Sequence, residues 1–263
     1  MANAGKLRSF LKRAGIGLGL LLAGPALVFA GIQTARADWR TASREPLGLA
    51  PAPVDAPQAI VQVYGARAVG WRGAFGVHTW VSVKPANAPD WTTYQIIGWR
   101  ALRGGDALAV SNGQPDRRWF GAEPELYAHL EGDGVDAVIR RIVTAAEAYP
   151  YRRTYTIWPG PNSNTFTAMV ARAAPELRLD LPSTAIGKDY LGGGTFAAAT
   201  PSGTGYQLSL WGLLGVSLAR EEGLEINVAG LTFGIDPLGL AVKAPGIGRI
   251  GASGDPKREA PGS

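Results

Sequence analysis

The sequence predicts an α+β domain, an antiparallel sheet packed against a few helices, from three observations. Runs of strand period crowd residues 59–111, one block near residues 133–149 has helical period, and the last third returns to strands. Ala59–Tyr64 (AIVQVY) alternates as a strand, and so does Phe75–Val83 (FGVHTWVSV). In the second run Val77, Thr79, Val81 and Val83 share one face, while His78, Trp80 and Ser82 share the other. Thr92–Trp99 follows a Pro- and Asn-rich turn as a third strand, and Leu108–Ser111 is a fourth. His129 falls in a short predicted helix after Pro124, on the surface. Asp133 is an expected cap for a helix whose apolar positions run from Val135 to Ala146 and which Tyr149-Pro150 stops. Thr154–Trp158 reads as a short strand entering the turn Pro159-Gly160-Pro161. A helix should then start at Asn162 or Asn164 and end at Pro175. Gly192–Gly194 opens a loop. Tyr206–Leu218 and Leu224–Ile235 read as two strands joined by a solvated turn at Glu221-Glu222-Gly223.

Ahead of this domain lies an export signal. Lys6, Arg8, Lys12 and Arg13 precede an apolar run from Ala14 to Ile32, which places the positive flank on the cytoplasmic side and the remainder across the membrane. Ala35-Arg36-Ala37 has the small-x-small form of a cleavage site, and residues 14–32 are long enough to span a bilayer, so removal and retention as an anchor both fit. The expected organisation is a signal or anchor over 1–37, a Pro/Ala-rich spacer over 38–57, one α+β domain over 58–250 and a disordered tail over 251–263.

The net charge of +5 resides in the export segment: residues 1–37 hold five of the 26 bases and no acid, leaving 21 against 21 beyond them. A neutral exported part has no basic excess to neutralise phosphates, which excludes nucleic acid as the main partner. Cysteine is absent and His occurs only twice, so no disulfide framework, thiolate site or imidazole-rich metal cluster is expected, nor any organic cofactor.

The segment that points to chemistry is Asn162-Ser163-Asn164-Thr165-Phe166, where a turn delivers the chain into a helix. Unpaired N–H groups and the positive dipole end at a helix start stabilise an oxyanion as readily as they accept a cap. Ser163 and Asn164 are good cap residues, and capping alone explains them equally. A nucleophilic Ser163 requires a base, for which His78 is a candidate, and Gln95 on the neighbouring strand, or Tyr94 beside it, is a candidate to orient that imidazole. Asn164, Trp80 and Arg118 are expected substrate contacts, Arg118 as part of the Arg117-Arg118-Trp119 wall. Core packing explains Trp80 as well.

Trp71–Val81 (WRGAFGVHTWV), Asp116–Gly121 (DRRWFG), Tyr149–Phe166 (YPYRRTYTIWPGPNSNTF) and the C-terminal glycine-rich block resemble the bacterial domain-of-unknown-function family 3750. A wider similarity is to circularly permuted relatives of the NlpC-type, papain-like cell-wall peptidases and acyltransferases. In these a strand bearing His precedes a helix that begins with the nucleophilic Cys. The resemblance implies a permuted papain-like core with a β-rich C-terminal extension, and puts Ser163 where the Cys would stand. Ser must lose its proton during attack, whereas a thiolate is already formed. Two functions follow as expectations: an envelope hydrolase or acyltransferase acting on an amide or ester, or a noncatalytic module using the same cleft for a peptide, glycan or lipid fragment.

Overall fold

The computed structural model describes residues 40–251 and 257–259, together with Lys12. The apolar run over 14–32 lies outside the described residues. The fold is α+β, as expected, with two sheets and few helices. The first sheet comprises β1 (Ile60–Arg67), β2 (Val77–Lys84), β3 (Thr92–Ile96), β4 (Leu108–Asn112) and β5 (Glu125–Glu131), in the order β5-β1-β2-β3-β4. Lys257–Glu259, in the tail expected to be disordered, pairs in parallel with the β5 edge.

β1 and β2 are buried on both faces. On one face Val61, Val63, Val81 and Val83 form a core with Ile139 and Ile142 of α2 (Val135–Glu147) and Phe166 and Val170 of α3 (Ser163–Arg172). A short α1 (Gly98–Leu102) follows β3. On the other face Ile60 and Trp91 pack with Ala50 and Ala56, and Tyr64, Ala66 and Trp80 pack with Trp119. The Pro/Ala-rich stretch expected to be a free spacer is therefore a strap over its 43–57 part. Pro46 bridges Arg117, Leu47 N–H donates to Asp116 O at 3.2 Å, and Trp91 Nε1 donates to Pro51 O at 3.1 Å. A sheet apolar on both sides needs two covers, and the strap supplies the second.

Three further expectations are corrected. His129 lies in β5, not a surface helix; it is buried and hydrogen-bonded to Gln62 at 2.9 Å. The cap of α2 is Gly134 at φ 80°, not Asp133. Thr154–Trp158 forms no strand. Thr156 N–H turns to Pro161 O at 2.8 Å, and the Tyr155 ring lies on Gly98, where an added Cβ would sit 2.6 Å from it.

The second sheet is an antiparallel meander of β6 (Ala197–Ala199), β7 (Gly205–Leu210), β8 (Leu214–Ala219), β9 (Gly223–Val228), β10 (Leu231–Asp236), β11 (Ala241–Ala244) and β12 (Gly248–Gly251). Both C-terminal runs predicted as single strands are hairpins. Ala229 and Gly230 turn the second at φ 53° and 75°, the positive values a two-residue hairpin needs. Glu222 is not solvated but 2% exposed, accepting from the N–H and hydroxyl of Ser202.

This sheet turns its polar side inward. Ser209, Ser217, Glu225, Asn227, Thr232 and Lys243 are buried beneath it. Lys243 Nζ donates to Asp180 at 2.6 Å and Glu225 at 2.8 Å, and Lys188 Nζ donates to Glu225 at 2.5 Å and Asp189 at 3.0 Å. Asp189 also accepts from Asn227 and Thr232. Burial alone would lower the Lys188 pKa, but the carboxylates of Asp189 and Glu225 outweigh it and raise the pKa. The second sheet is thus fixed to the loop over 180–190 by satisfied buried ions rather than by apolar packing.

Candidate functional site

The ladder between β2 and β3 is confined to Val81–Val83 against Thr92–Tyr94. Beyond it the strands part, leaving His78 and Gln95 in the separated section. A cavity of about 570 Å³ opens there, lined by Val77 and His78 of β2, Ile96 to Gly98 after β3, and Ser163 and Asn164 of α3. Its walls are mainly aromatic and aliphatic, with Trp71, Phe75, Trp99, Trp119, Ile157 and Trp158 among them. Among the described residues that line it, Arg72 carries the only formal charge.

His78 is held as the sequence reading expects. Its Nε2 faces Gln95 Oε1 at 2.9 Å, and the tautomer that donates to this oxygen carries its proton on Nε2. Nδ1 is then an acceptor, and no described residue hydrogen-bonds to it. The ring stacks on Trp119 at 3.8 Å between centroids and 11° between planes. Trp119 is set by a tight turn: Trp119 N–H donates to Ala122 O at 2.9 Å, and Gly121 N–H reaches Ser43 O of the strap at 2.9 Å. Burial lowers the His78 pKa to about 4, only partly offset by the Gln95 hydrogen bond. The imidazole is therefore neutral at pH 7, and a weaker base than an exposed histidine.

Of the two expected starts of α3, Asn162 and Asn164, the chain uses the first. Asn162 is the cap: its side chain accepts from Asn164 N–H at 2.9 Å and Thr165 N–H at 3.2 Å, while Thr165 Oγ1 accepts Asn162 N–H at 3.1 Å. The Asn162 amide also donates to Ile157 O and Ile186 O. Gly160, at φ 133°, brings the turn so close that a Cβ would lie 2.8 Å from Thr165 Oγ1. Ser163, as the first helical residue, is thus relieved of capping, and its N–H has no partner among the described residues. Its hydroxyl faces Tyr155, whose pKa burial raises and the nearby Ser163 hydroxyl partly lowers. No hydrogen bond joins Ser163 to His78; the two share the cavity wall.

Asn164 is buried and faces the scaffold. Its amide donates to Val77 O at 3.1 Å and Ile186 O at 2.8 Å, and its carbonyl accepts from Thr79 Oγ1 at 3.0 Å. The residues on either side of His78 are therefore pinned to the residue after Ser163, which fixes the two candidates relative to each other. Trp80 stands outside the cavity, stacked on Tyr64 and donating to Pro115 O at 2.8 Å. Arg118 is also outside, in an ion pair with Glu123 at 2.7 Å. Trp119, its neighbour, supplies the cavity wall instead. Sequence reasoning missed Tyr155, which it assigned to a strand, and no spacing signal marks its approach to Ser163.

No group of three or more His, Asp or Glu among the described residues is arranged to hold a metal ion. No curated protein and no solved structure matches the chain. A family model described as "Protein of unknown function (DUF3750)" matches residues 58–190, from just before β1 to the residue after Asp189, and so takes in every residue lining the cavity except Ala229 and Leu231. The chain belongs to this DUF3750 family.

Proposed function

We propose that the protein is an exported bacterial envelope protein that hydrolyses or transfers the acyl group of an ester or amide with an apolar acyl part, using Ser163, His78 and Gln95. The observation that carries the reading is a neutral His78, oriented by Gln95 and with Nδ1 unpartnered, in the same apolar cavity as a helix-start Ser163 freed from capping. This arrangement also supports the kinship to permuted papain-like domains inferred from motif order.

In the reaction Ser163 Oγ attacks the carbonyl carbon and gives its proton to His78 Nδ1, while Nε2–H stays on Gln95 Oε1. The Ser163 N–H receives the developing oxyanion at the positive end of α3. Collapse expels the alcohol or amine, which takes the proton from His78. Water or a second hydroxyl then releases the acyl group by the reverse sequence. The cavity wall selects the acyl part by its apolar surface, and Arg72 is placed for an anionic group on the substrate. Residues 14–32 either anchor the domain to the inner membrane, facing the periplasm, or are cleaved to release it.

Turnover of a panel of acyl esters of increasing chain length tests this. Ser163→Ala should abolish it, His78→Ala should lower kcat by about 10²–10⁴-fold, and Gln95→Ala should lower kcat with little change in KM. Equal turnover by Ser163→Ala and the parent chain contradicts the assignment. The nearness of Ser163 to Tyr155, with no hydrogen bond to His78, favours a second reading, a noncatalytic module that binds the same apolar ligands. Saturable binding of the uncleaved ester without turnover supports that reading instead.

A further inference from the structure

The outward side of the second sheet inverts the usual alternation. One cross-strand row reads Tyr206, Leu218, Leu224, Ile235, Val242 and Ile250. A second reads Leu208, Val216, Ile226 and Phe233, and a third Leu210, Leu214, Val228 and Leu231. No charged residue occurs in any of the three, and Tyr206 is 79% and Leu218 68% exposed. A soluble sheet with one wet face places its polar residues there. Here the ions lie underneath, so the outer face is apolar by construction. An apolar surface of this extent marks a docking site.

Two further observations name its occupant. The face runs into the cavity mouth: Leu231 ends the third row and lines the cavity, and Trp158 Nε1 donates to Ala229 O in the adjacent turn. A belt of exposed tryptophans, Trp71, Trp99, Trp158 and Trp211, accompanies this junction, and tryptophan is the residue enriched at bilayer interfaces. The strap also passes the same mouth. Ser43 binds Gly121, and Arg44 lies 4.5 Å over Phe120, which meets Trp99 and Trp119 edge-on. Residues 33–39 alone separate described chain from the apolar run over 14–32, a reach of about 25 Å at full extension.

We infer that the outer face of the second sheet lies on a phospholipid bilayer, so that the cavity opens toward the acyl-chain boundary. The face would settle about 5–10 Å into the headgroup and acyl region, as interfacial elements do. The inference does not depend on Ser163 chemistry. A chain carrying Ser163→Ala should dock identically, so failure of the catalytic reading and failure of this one are separable.

The absence of native cysteine allows a direct test on the full chain. Single cysteines replace Leu218 or Ile226 on the face, and Val54 or Val110 elsewhere on the surface. Each carries a fluorophore, in vesicles of phosphatidylethanolamine and phosphatidylglycerol, and each chain is first matched to the parent by near-ultraviolet circular dichroism. The expected result is that the Leu218 and Ile226 labels lose most of their emission to lipid-borne nitroxide and resist aqueous iodide, whereas the Val54 and Val110 labels behave oppositely. Iodide access at Leu218 and Ile226 equal to that at Val54 overturns the inference. Protection from both quenchers also overturns it: with a dimer mass it assigns the face to a second copy, and with a monomer mass to residues 14–32 of the same chain.

Discussion

The first sheet buries Val61, Val63 and Val81 under α2 and α3 on one face, and on the other Ile60 under the 43–57 strap and Tyr64 and Trp80 beside Trp119. The second presents Leu218, Ile226 and Val242 outward and buries Glu225 and Lys243. Both are built mainly from antiparallel pairs, so strand direction alone does not account for the contrast. What differs is the source of cohesion. The first is held by area removed from water on two sides, at roughly 25 cal/mol per Å². The second is held to the body by a closed set of buried ions and hydrogen bonds. Apolar residues on its outer face are left available for another surface.

The largest expected effect follows from that difference. Lys243→Ala leaves the Glu225 and Asp180 carboxylates short of a buried partner and should destabilise by about 3–5 kcal/mol in denaturant unfolding. A loss under about 1 kcal/mol would mean that water replaces the lysine and that the network is not what fixes the sheet. In the first core, Ile142→Ala should cost about 2–5 kcal/mol, because Ile142 is fully buried. The corresponding change on the outer face, Ile226→Ala, should fall within about 0.5 kcal/mol of the parent in detergent-free buffer. Similar losses at the two positions would erase the contrast.

A pH titration separates the regions in another way. His78, near the junction of the sheets, has a folded pKa of about 4 against an ordinary 6.5. The unfolded chain therefore binds the proton more tightly, and stability rises with pH across that window. The contribution, up to about 3 kcal/mol, is complete above pH 6.5 and lost as pH falls to 4. His78→Gln should flatten this slope in urea midpoints measured from pH 4 to 7. A more local effect is expected at the helix start: Asn162→Ala removes the cap of α3 and should cost about 0.5–2 kcal/mol, while shifting the reactivity of Ser163 more than that of residues elsewhere.

Much of the first sheet was legible because its strands alternate and are bounded by Pro and Asn turns; β1, β2 and β4 start within two residues of their expected positions. The His78–Gln95 pairing was legible too, because adjacent antiparallel strands bring same-face residues together. His129 misled because ELYAHLE fits helical and strand periods alike, and the neighbour that decides it, Gln62, is remote in sequence. The C-terminal hairpins were hidden because Trp211-Gly212 and Ala229-Gly230 interrupt apolar runs without a Pro, Asn or Asp signal. The strap reads as a spacer in composition, and only the apolar underside of the sheet explains why it docks. Ser163 was separable from its capping role only by seeing Asn162 take both N–H groups.

The most direct test of the central claim is intact-mass analysis of the chain after exposure to a long-chain alkyl fluorophosphonate at pH 7, with peptide mapping of the adduct. The account predicts a single adduct on Ser163, lost in Ser163→Ala and strongly slowed in His78→Ala. An unmodified Ser163, in a chain that still binds the matching acyl ester in the cavity, would contradict it.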